Sequence, residues 1–314
     1  MLDNQNDAAL IQATGYQLNL SEFVIEKDIF VTKAIAILMS VEDEVFKLVF
    51  QGGTALAKAH RFVQRMSEDC DFRLAYKNPE EAHKKDAQRK LLRAFRKNLV
   101  KALVDNGFEL DEQAVRVRNE GRFVSIRAKF NSMYPAPSSL KPYLALEFFL
   151  GQVKTPTVNR SVTSLIRETL GEKINHPVVP VTCMSIPETA AEKWVALTRR
   201  IATSQQRQGY YDQSLVRHIY DLAMINRHHP LKETEFANLA RQVIEIDRVQ
   251  FKTHSDSYSQ DPWTAIQFSL DELQKNPRWS QNWDIFMETM VYGEKPEYSD
   301  ALKNLVEISG LVMN

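Results

Sequence analysis

The sequence predicts an α/β domain followed by an all-helical domain. Short apolar runs typical of buried strands occur before about residue 185, where they alternate with helical stretches. Beyond Pro187 the apolar residues recur at helical spacing, and Gly and Pro residues break the pattern. We therefore expect a domain over residues 1–186, with N-terminal helices, and a helical domain over residues 187–314 that completes a ligand-binding cleft.

Two long helices are predicted in the first domain. Residues 22–47 have an apolar face at helical spacing and precede a first strand over residues 48–51. Residues 80–105 combine an apolar stripe with a strongly basic side, so we expect the stripe to pack on the core and the basic side to face solvent. The basic residues are Lys84, Lys85, Arg89, Lys90, Arg93, Arg96, Lys97 and Lys101.

A β-hairpin is predicted next. Residues 115–118 and 122–130 alternate like two strands, and Gly121 marks the turn that joins them. Their arginines, Arg116, Arg118 and Arg127, are expected on an exposed face or edge.

Two more strands complete the first domain. Residues 143–150 predict a buried strand that carries one carboxylate, Glu147. Residues 178–184 predict a strand at a sheet edge, because Pro180 has no N–H to donate to a neighbour. The helical domain is predicted to contain helices near 188–204, 212–226, 232–249, 262–276 and 298–312.

Composition narrows the possible classes of protein. Forty basic and forty acidic side chains give a formal net charge of zero, so overall charge does not indicate nucleic-acid binding, although local clusters still can. Cys70 and Cys183 have neither zinc-site spacing nor a disulfide pattern, which fits a reducing cytoplasm. The N-terminus lacks a signal-peptide pattern, and no apolar run approaches the roughly 18 residues that span a bilayer. We expect a cytoplasmic protein with no membrane association.

The most informative segment is the apolar run that ends in Gly52, Gly53 and Thr54. Paired glycines after a strand let backbone N–H groups at a helix start approach a phosphate. No Cβ intervenes, and the helix N-terminus carries partial positive charge. This segment predicts a binding site for a nucleotide.

Asp69 and Asp71 supply the second half of the predicted site. They are two residues apart in an extended segment, so both carboxylates point to one face and Cys70 points into the core. Two carboxylates on one face can share a pair of divalent cations about 3.5–4 Å apart, which activate an attacking oxygen and stabilise a leaving one. With the glycine pair, they predict metal-dependent chemistry on a nucleoside triphosphate.

Several charged residues have two interpretations. Glu147 either pairs with an arginine of the hairpin or acts as a third metal ligand, because an unpaired carboxylate in so apolar a strand is costly to bury. Lys193 and Asp221 border the apolar stripes of their helices and, taken alone, are typical of surface residues or an ion pair. The basic side of the helix over residues 80–105 is either a solvated face or a surface that attracts a phosphate backbone.

Taken together, these segments resemble the AbiEii/AbiGii toxin family of nucleotidyltransferases from bacterial toxin–antitoxin and phage-defence systems. The family's Gly-Gly-Thr/Ser after a strand is matched by residues 52–54, and its Arg-x-Ser-x-Asp-x-Asp by residues 65–71. Its Ala-Glu-Lys-x-x-Ala-Leu is matched by residues 191–197. Its Arg-Asp-x-x-Asp-Leu is matched by residues 217–222, except that His218 replaces the first Asp.

The resemblance spans about residues 25–225. It implies a polymerase-β-like nucleotidyltransferase core, with a mixed sheet and flanking helices, that uses Mg²⁺ or Mn²⁺ and an NTP. Asp69 and Asp71 would bind the metal, beside Glu147 if that residue is a ligand. The implied catalytic set is Asp69, Asp71, Lys193 and Asp221, and the implied nucleotide-holding set is Gly52, Gly53, Thr54, Arg65 and Ser67.

The resemblance also implies a substrate and a partner. Family members transfer NMP from NTP to RNA, in several cases to the 3′ acceptor end of tRNA, which blocks translation, and a cognate antitoxin restrains them. Two alternatives stay open: transfer to a protein hydroxyl or a small molecule, and a non-catalytic NTP-binding module that sequesters a partner. The basic helix favours RNA among these.

Overall fold

The structure of the protein is a computed structural model that describes residues 4–78, 80, 84–111, 113–138, 140–206, 211–252 and 256–313. The chain forms two compact units. The first comprises Met1–Arg61 and Ser67–Met184, and the second comprises Phe62–Met66 and Ser185–Asn314. A short segment from the first part of the chain therefore folds with the C-terminal helices.

The described part of the first unit is built on a mixed sheet of seven strands with flanking helices, which confirms the predicted fold class. Its elements are α1 (Asn4–Leu18), α2 (Glu22–Met39), β1 (Phe46–Gln51), α3 (Gly52–Ala55) with a following π-helical turn (Leu56–His60), β2 (Asp69–Tyr76), α4 (Lys85–Asp105), β3 (Val115–Arg118), β4 (Phe123–Ala128), β5 (Leu144–Leu150), β6 (Val158–Val162), α5 (Leu165–Leu170) and β7 (Val179–Cys183).

The strand order is β3-β4-β5-β2-β1-β7-β6, so β2 lies at the centre. It runs parallel to β5 and antiparallel to β1. The rings of Phe50, Phe72 and Phe148 lie side by side on one face of these three strands, with centroids 5.3 Å apart in each neighbouring pair. Because strand side chains alternate, Asp69 and Asp71 project from the opposite face.

Helix α4 covers the apolar face of the sheet. Its Phe95 ring lies 5.6 Å from the ring of Phe46, and Leu92, Phe95 and Leu99 belong to the same core as Phe72. The basic side of α4 is exposed, as the sequence predicted. The helix therefore sits on the face of the sheet that does not carry the two aspartates.

The end of one helix and the sheet position of one strand differ from the sequence-based expectation. Helix α2 ends at Met39, and Asp43 then accepts hydrogen bonds from the backbone N–H groups of Val45 and Phe46, forming a turn that interrupts the apolar pattern. The prediction of an edge position for β7 is wrong, because the unpredicted strand β6 lies outside it. Pro180 is tolerated there, since the register of β7 with β1 contains only Cys183 paired with Phe50.

The second unit is helical in the part that the structure describes. Its helices are α6 (Ile186–Gln206), α7 (Val216–His228), α8 (Glu233–Gln250), α9 (Asp256–Gln260), α10 (Pro262–Lys275), α11 (Arg278–Thr289) and α12 (Tyr298–Met313). Trp194 and Trp283 are buried in its core, and the Trp194 indole donates to the Ser309 hydroxyl at 2.9 Å. Among the described helices, none is both long and apolar enough to cross a membrane.

Segment 62–66 joins this unit through backbone hydrogen bonds. The Met66 N–H donates to the Met290 carbonyl at 2.7 Å, and the Tyr292 N–H donates to the Gln64 carbonyl at 3.0 Å. Arg65 and Val291 form an antiparallel bridge between these bonds. The segment is thus paired like a short strand with the turn that follows α11.

Candidate active site

Asp69 and Asp71 lie on one face of β2, and both side chains are partly exposed. Cys70 points to the other face, where it is fully buried, which confirms its predicted place in the core. Burial raises the pKa of the Cys70 thiol. In the sheet, Asp71 stands opposite Gln51 on β1 and Glu147 on β5. The central strand therefore presents two accessible carboxylates side by side.

Position 52, at the turn from β1 into α3, requires a glycine. Its φ angle of 78° is in the left-handed region, and a Cβ built there would clash with the Asp71 carboxylate. The turn from β1 into α3 therefore places backbone, without any side chain, directly against that carboxylate. A ligand held at Asp71 would meet the main chain of Gly52.

We expect Gly52→Ala to lower both stability and nucleotide transfer. The left-handed conformation costs a residue with a Cβ about 1–2 kcal/mol. Displacement of the Asp71 carboxylate should slow transfer by roughly a hundredfold, since small misplacements at a reacting centre have large effects. The measurements are chemical denaturation and the rate of transfer from labelled NTP.

Gly171→Ala is the matched control for that substitution. Gly171 also has a positive φ, of 102°, but a Cβ there would meet nothing within 4 Å. It should lose stability while its transfer rate stays at the wild-type value. A wild-type transfer rate for Gly52→Ala would contradict the proposed contact between Gly52 and the reacting centre.

Thr54 and Ser67 fasten α3 to the start of β2. The Thr54 hydroxyl donates to the main-chain carbonyl of Asp69 and lies 2.9 Å from the Ser67 hydroxyl. Thr54 is only 2% exposed. Both predicted nucleotide-holding hydroxyls are therefore engaged with each other, beside the first aspartate, and they fix where Asp69 begins its strand.

Lys141 is a residue of this site that the sequence did not reveal. Its ammonium lies 2.8 Å from Asp69 Oδ1, and its backbone N–H donates to Glu68 at 2.7 Å. Lys27 donates to the same Glu68 carboxylate at 2.9 Å. Burial acts to lower the pKa of Lys141, but the hydrogen bond and charge of Asp69 outweigh it and raise the pKa. The loop before β5 thus supplies a cation to the carboxylate face.

Asp69 and Asp71 fit a hard divalent cation. Carboxylate oxygens are the ligands that Mg²⁺ prefers, both side chains are partly exposed, and Asp69 already contacts a positive group in Lys141. Across the described residues, no group of three or more His, Cys, Asp or Glu side chains is arranged to hold a metal ion. Metal binding by these residues, and by Glu147, stays a prediction.

Glu147 is partly buried next to Asp71. Burial, and after it the charge of Asp69, raise the pKa of the Glu147 carboxyl. Its neighbour across the sheet on β4 is Ser125. The charges of Lys141 and Arg118 act in the opposite direction on this pKa, but Glu147 forms no ion pair with any described residue. The alternative in which a hairpin arginine neutralises it by direct pairing is therefore not realised here.

Lys193 and Asp221 form a buried ion group with Arg65. Arg65 donates two hydrogen bonds of 2.7 Å to the Asp221 carboxylate, from Nε to Oδ1 and from Nη2 to Oδ2. The Lys193 ammonium lies 2.7 Å from Oδ2, and Asp221 is 0% exposed. The three residues make an ion group, as one interpretation of Lys193 and Asp221 expected, but it lies inside the helical unit and not at its surface.

The charges in this group set its protonation. Burial acts to raise the pKa of Asp221, but the charges of Arg65 and Lys193 outweigh burial and hold the pKa well below its ordinary range. Burial likewise acts to lower the pKa of Arg65, and the charge of Asp221 raises it. Asp221 is thus a carboxylate between two cations.

His218 occupies the position where the family motif has an acid. Burial first, and then the charges of Lys193 and Arg200, hold the pKa of the imidazole well below its ordinary value. Its Nε2 lies 3.5 Å from Arg200, and its Nδ1 has no hydrogen-bond partner among the described residues. A neutral ring therefore stands where a carboxylate would add negative charge near Lys193.

Comparison with known proteins decides the family. A family model described as the nucleotidyl transferase AbiEii toxin of a type IV toxin–antitoxin system matches residues 33–304. The chain belongs to this family. It is therefore a nucleotidyltransferase toxin of the AbiEii type, and its membership implies an NTP substrate and an antitoxin partner.

Six chains among the solved structures also match this one. One is MenT4, a nucleotidyltransferase toxin from Mycobacterium tuberculosis H37Rv, with 17% sequence identity and a TM-score of 0.49. That match covers 75% of this chain and 70% of MenT4. No curated protein sequence matches the chain.

Proposed function

We propose that this AbiEii-family chain uses Mg²⁺ or Mn²⁺ to transfer NMP from an NTP to the 3′ end of an RNA, in particular the acceptor end of tRNA. Loss of usable acceptor ends would inhibit translation in the cytoplasm. The observation that carries this proposal is the pair of accessible carboxylates, Asp69 and Asp71, with the bare backbone of Gly52 against Asp71. Two carboxylates beside an open backbone turn suit a metal–triphosphate ligand.

The residues of the first unit would bind and orient the substrate. When bound to Asp69 and Asp71, the divalent cation would supply Lewis-acid stabilisation of charge on the phosphates. The backbone at Gly52 and Gly53 would lie along the triphosphate, since Gly52 adds no Cβ next to Asp71. Lys141 would balance the charge of Asp69 before the substrate arrives.

Lys193 and Asp221 are proposed as members of the same catalytic set because they match the family motifs. Lys193 would neutralise charge that develops on the transferred phosphate, an effect that usually supplies much of the rate. Asp221 would hold the Lys193 ammonium in place through their 2.7 Å contact.

Arg65 would act through Asp221. Its Nε and Nη2 donate to Asp221, and its Nη1 donates to the Met66 carbonyl at 2.8 Å. With all three nitrogens engaged, Arg65 is better suited to position Asp221 than to hold the nucleotide directly. We therefore assign it a positioning role.

The test is to supply each of the four NTPs, labelled at the α-phosphate, with Mg²⁺ and separated bacterial RNA, protein and small-molecule fractions. We expect label in the RNA fraction, at its 3′ end, and no label after chelation of the metal. Label confined to protein or small molecules would replace RNA with another acceptor. Toxicity without any transfer would favour the non-catalytic alternative.

A further inference from the structure

The structure separates two basic surfaces that the sequence could not distinguish. Helix α4 packs on the apolar face of the sheet, through contacts such as Phe95 with Phe46. Asp69 and Asp71 project from the opposite face. The thickness of the sheet therefore lies between the basic side of α4 and the carboxylates, and an acceptor that reaches Asp71 approaches the other face.

The arginines of β3 are on the carboxylate face. Across the strands, Arg116 stands opposite Ser125, Ser125 opposite Glu147, and Glu147 opposite Asp71. Directly opposed residues in a sheet project from the same face. Arg118 is two residues from Arg116 along β3, so it shares that face.

These two arginines are available to a ligand. Arg116 and Arg118 are exposed, and within the part of the chain that the structure describes neither side chain makes a hydrogen bond or an ion pair, although the charge of Arg118 acts on Glu147. By contrast, Arg89 on α4 lies 2.5 Å from Glu120. Strand β3 ends the sheet order, so the arginines stand along an open border of the face.

The spacing of the strands indicates which ligand they suit. Neighbouring strands are about 4.8 Å apart. Three such spacings separate Arg116 from Asp71 in the register, so their Cα atoms are roughly 14 Å apart. This is a suitable distance for contact with the same strand of RNA a few nucleotides before its reacting end.

We propose that Arg116 and Arg118 form a phosphate-backbone site for the acceptor RNA, on the sheet face that carries Asp69 and Asp71. This inference rests on the proposed RNA acceptor. The planar guanidinium group binds phosphate through paired hydrogen bonds, which makes arginine well suited to such a site. The site fixes the direction of the RNA: from the β3 border, across β4 and β5, to the carboxylates on β2.

The test compares two charge reversals on opposite faces of the sheet. The variant Arg116→Glu/Arg118→Glu alters the proposed site, and Arg93→Glu/Lys97→Glu makes the same change in net charge on exposed residues of α4. Binding of unfractionated tRNA, labelled at its 5′ end, is measured by fluorescence anisotropy over a series of KCl concentrations. Binding of a non-hydrolysable NTP analogue with Mg²⁺ reports on the nucleotide site.

We expect Arg116→Glu/Arg118→Glu to weaken tRNA binding by more than about tenfold and to reduce the log–log salt slope by roughly 0.7–0.9 for each lost contact. Its NTP-analogue binding should equal that of the wild type. The α4 variant should match the wild type in both measurements. Arg116→Gln/Arg118→Gln, a milder change, should show the same slope reduction with a smaller loss of affinity, and its thermal melting confirms folding.

Three outcomes would overturn the inference. The first is unchanged tRNA binding in both β3 variants, and the second is a loss of tRNA binding confined to the α4 variant. The third is an equal loss in the two charge-reversed proteins, because net charge and not position would then set the affinity. Failure of the proposed function has a different signature. In that case the wild type would transfer label only to protein or small molecules, whatever the tRNA measurements give.

Discussion

Replacement of both Asp69 and Asp71 by asparagine is expected to reduce nucleotide transfer by at least about a thousandfold, since each group placed at a developing charge contributes on the order of a hundredfold or more. Asparagine keeps the shape of each side chain but cannot supply the charge that binds a divalent cation. The free energy of unfolding should change by less than about 1 kcal/mol, because the contact between Lys141 and Asp69 is partly exposed and screened by solvent. Transfer rate and urea denaturation measure the two effects.

Asp86→Asn is the control for this pair of substitutions. Asp86 is an exposed carboxylate in the first turn of α4, on the other side of the sheet. Its loss should leave transfer and NTP-analogue binding at wild-type values. A folded Asp69→Asn/Asp71→Asn protein that still transfers nucleotide at the wild-type rate would refute the metal assignment.

Asp221→Ala is expected to lower the free energy of unfolding by about 3–5 kcal/mol, because it leaves Arg65 and Lys193 as uncompensated buried charges. Transfer should fall by orders of magnitude as well, because Lys193 loses the group that holds it. Asp271→Ala offers a matched comparison: it breaks an exposed pair with Lys275 on α10, and solvent-screened pairs of this kind add little to stability.

A triple variant separates stability from function in that group. Arg65→Met/Lys193→Met/Asp221→Leu removes every charge, and apolar replacements of buried ion groups often restore stability. It should unfold near the wild-type denaturant midpoint and yet transfer no nucleotide. If Asp221→Ala unfolds within about 1 kcal/mol of the wild type, the burial argument for this ion group fails.

Local pattern was sufficient to predict the carboxylate face. Alternation along a strand has a period of two, so the opposite directions of Asp69 and Cys70 follow from adjacent positions in the chain. The bare backbone at Gly52 could also be predicted, because paired glycines after a strand leave no Cβ between a ligand and the main chain. Neither prediction depended on which strands neighbour β2.

Contacts between elements that are far apart in the chain could not be predicted from the sequence. The amphipathic pattern of α4 shows which side of the helix is buried, but not which face of the sheet it covers, and this choice decides whether its lysines and arginines lie near the aspartates. Lys141 lies in a loop without periodicity, so nothing local indicated its contact with Asp69. The partners Arg65 and Asp221 are 156 residues apart in sequence. Pro180 suggested that β7 lies at the edge of the sheet. That prediction failed because β6, a short polar strand, gave no strand signal in the sequence.

Segment 62–66 is synthesised long before the residues that it contacts. Arg65 is synthesised early, but its carboxylate partner Asp221 and the backbone that pairs with Gln64 and Met66, at residues 290–293, follow much later. Domains generally fold as their residues emerge, so the first unit can form while this segment still waits for its partners. The ion group of Arg65, Lys193 and Asp221 can form only after residue 221 has been synthesised. A translation product interrupted before residue 221 would carry Asp69 and Asp71 without that group, so it would lack part of the proposed catalytic set.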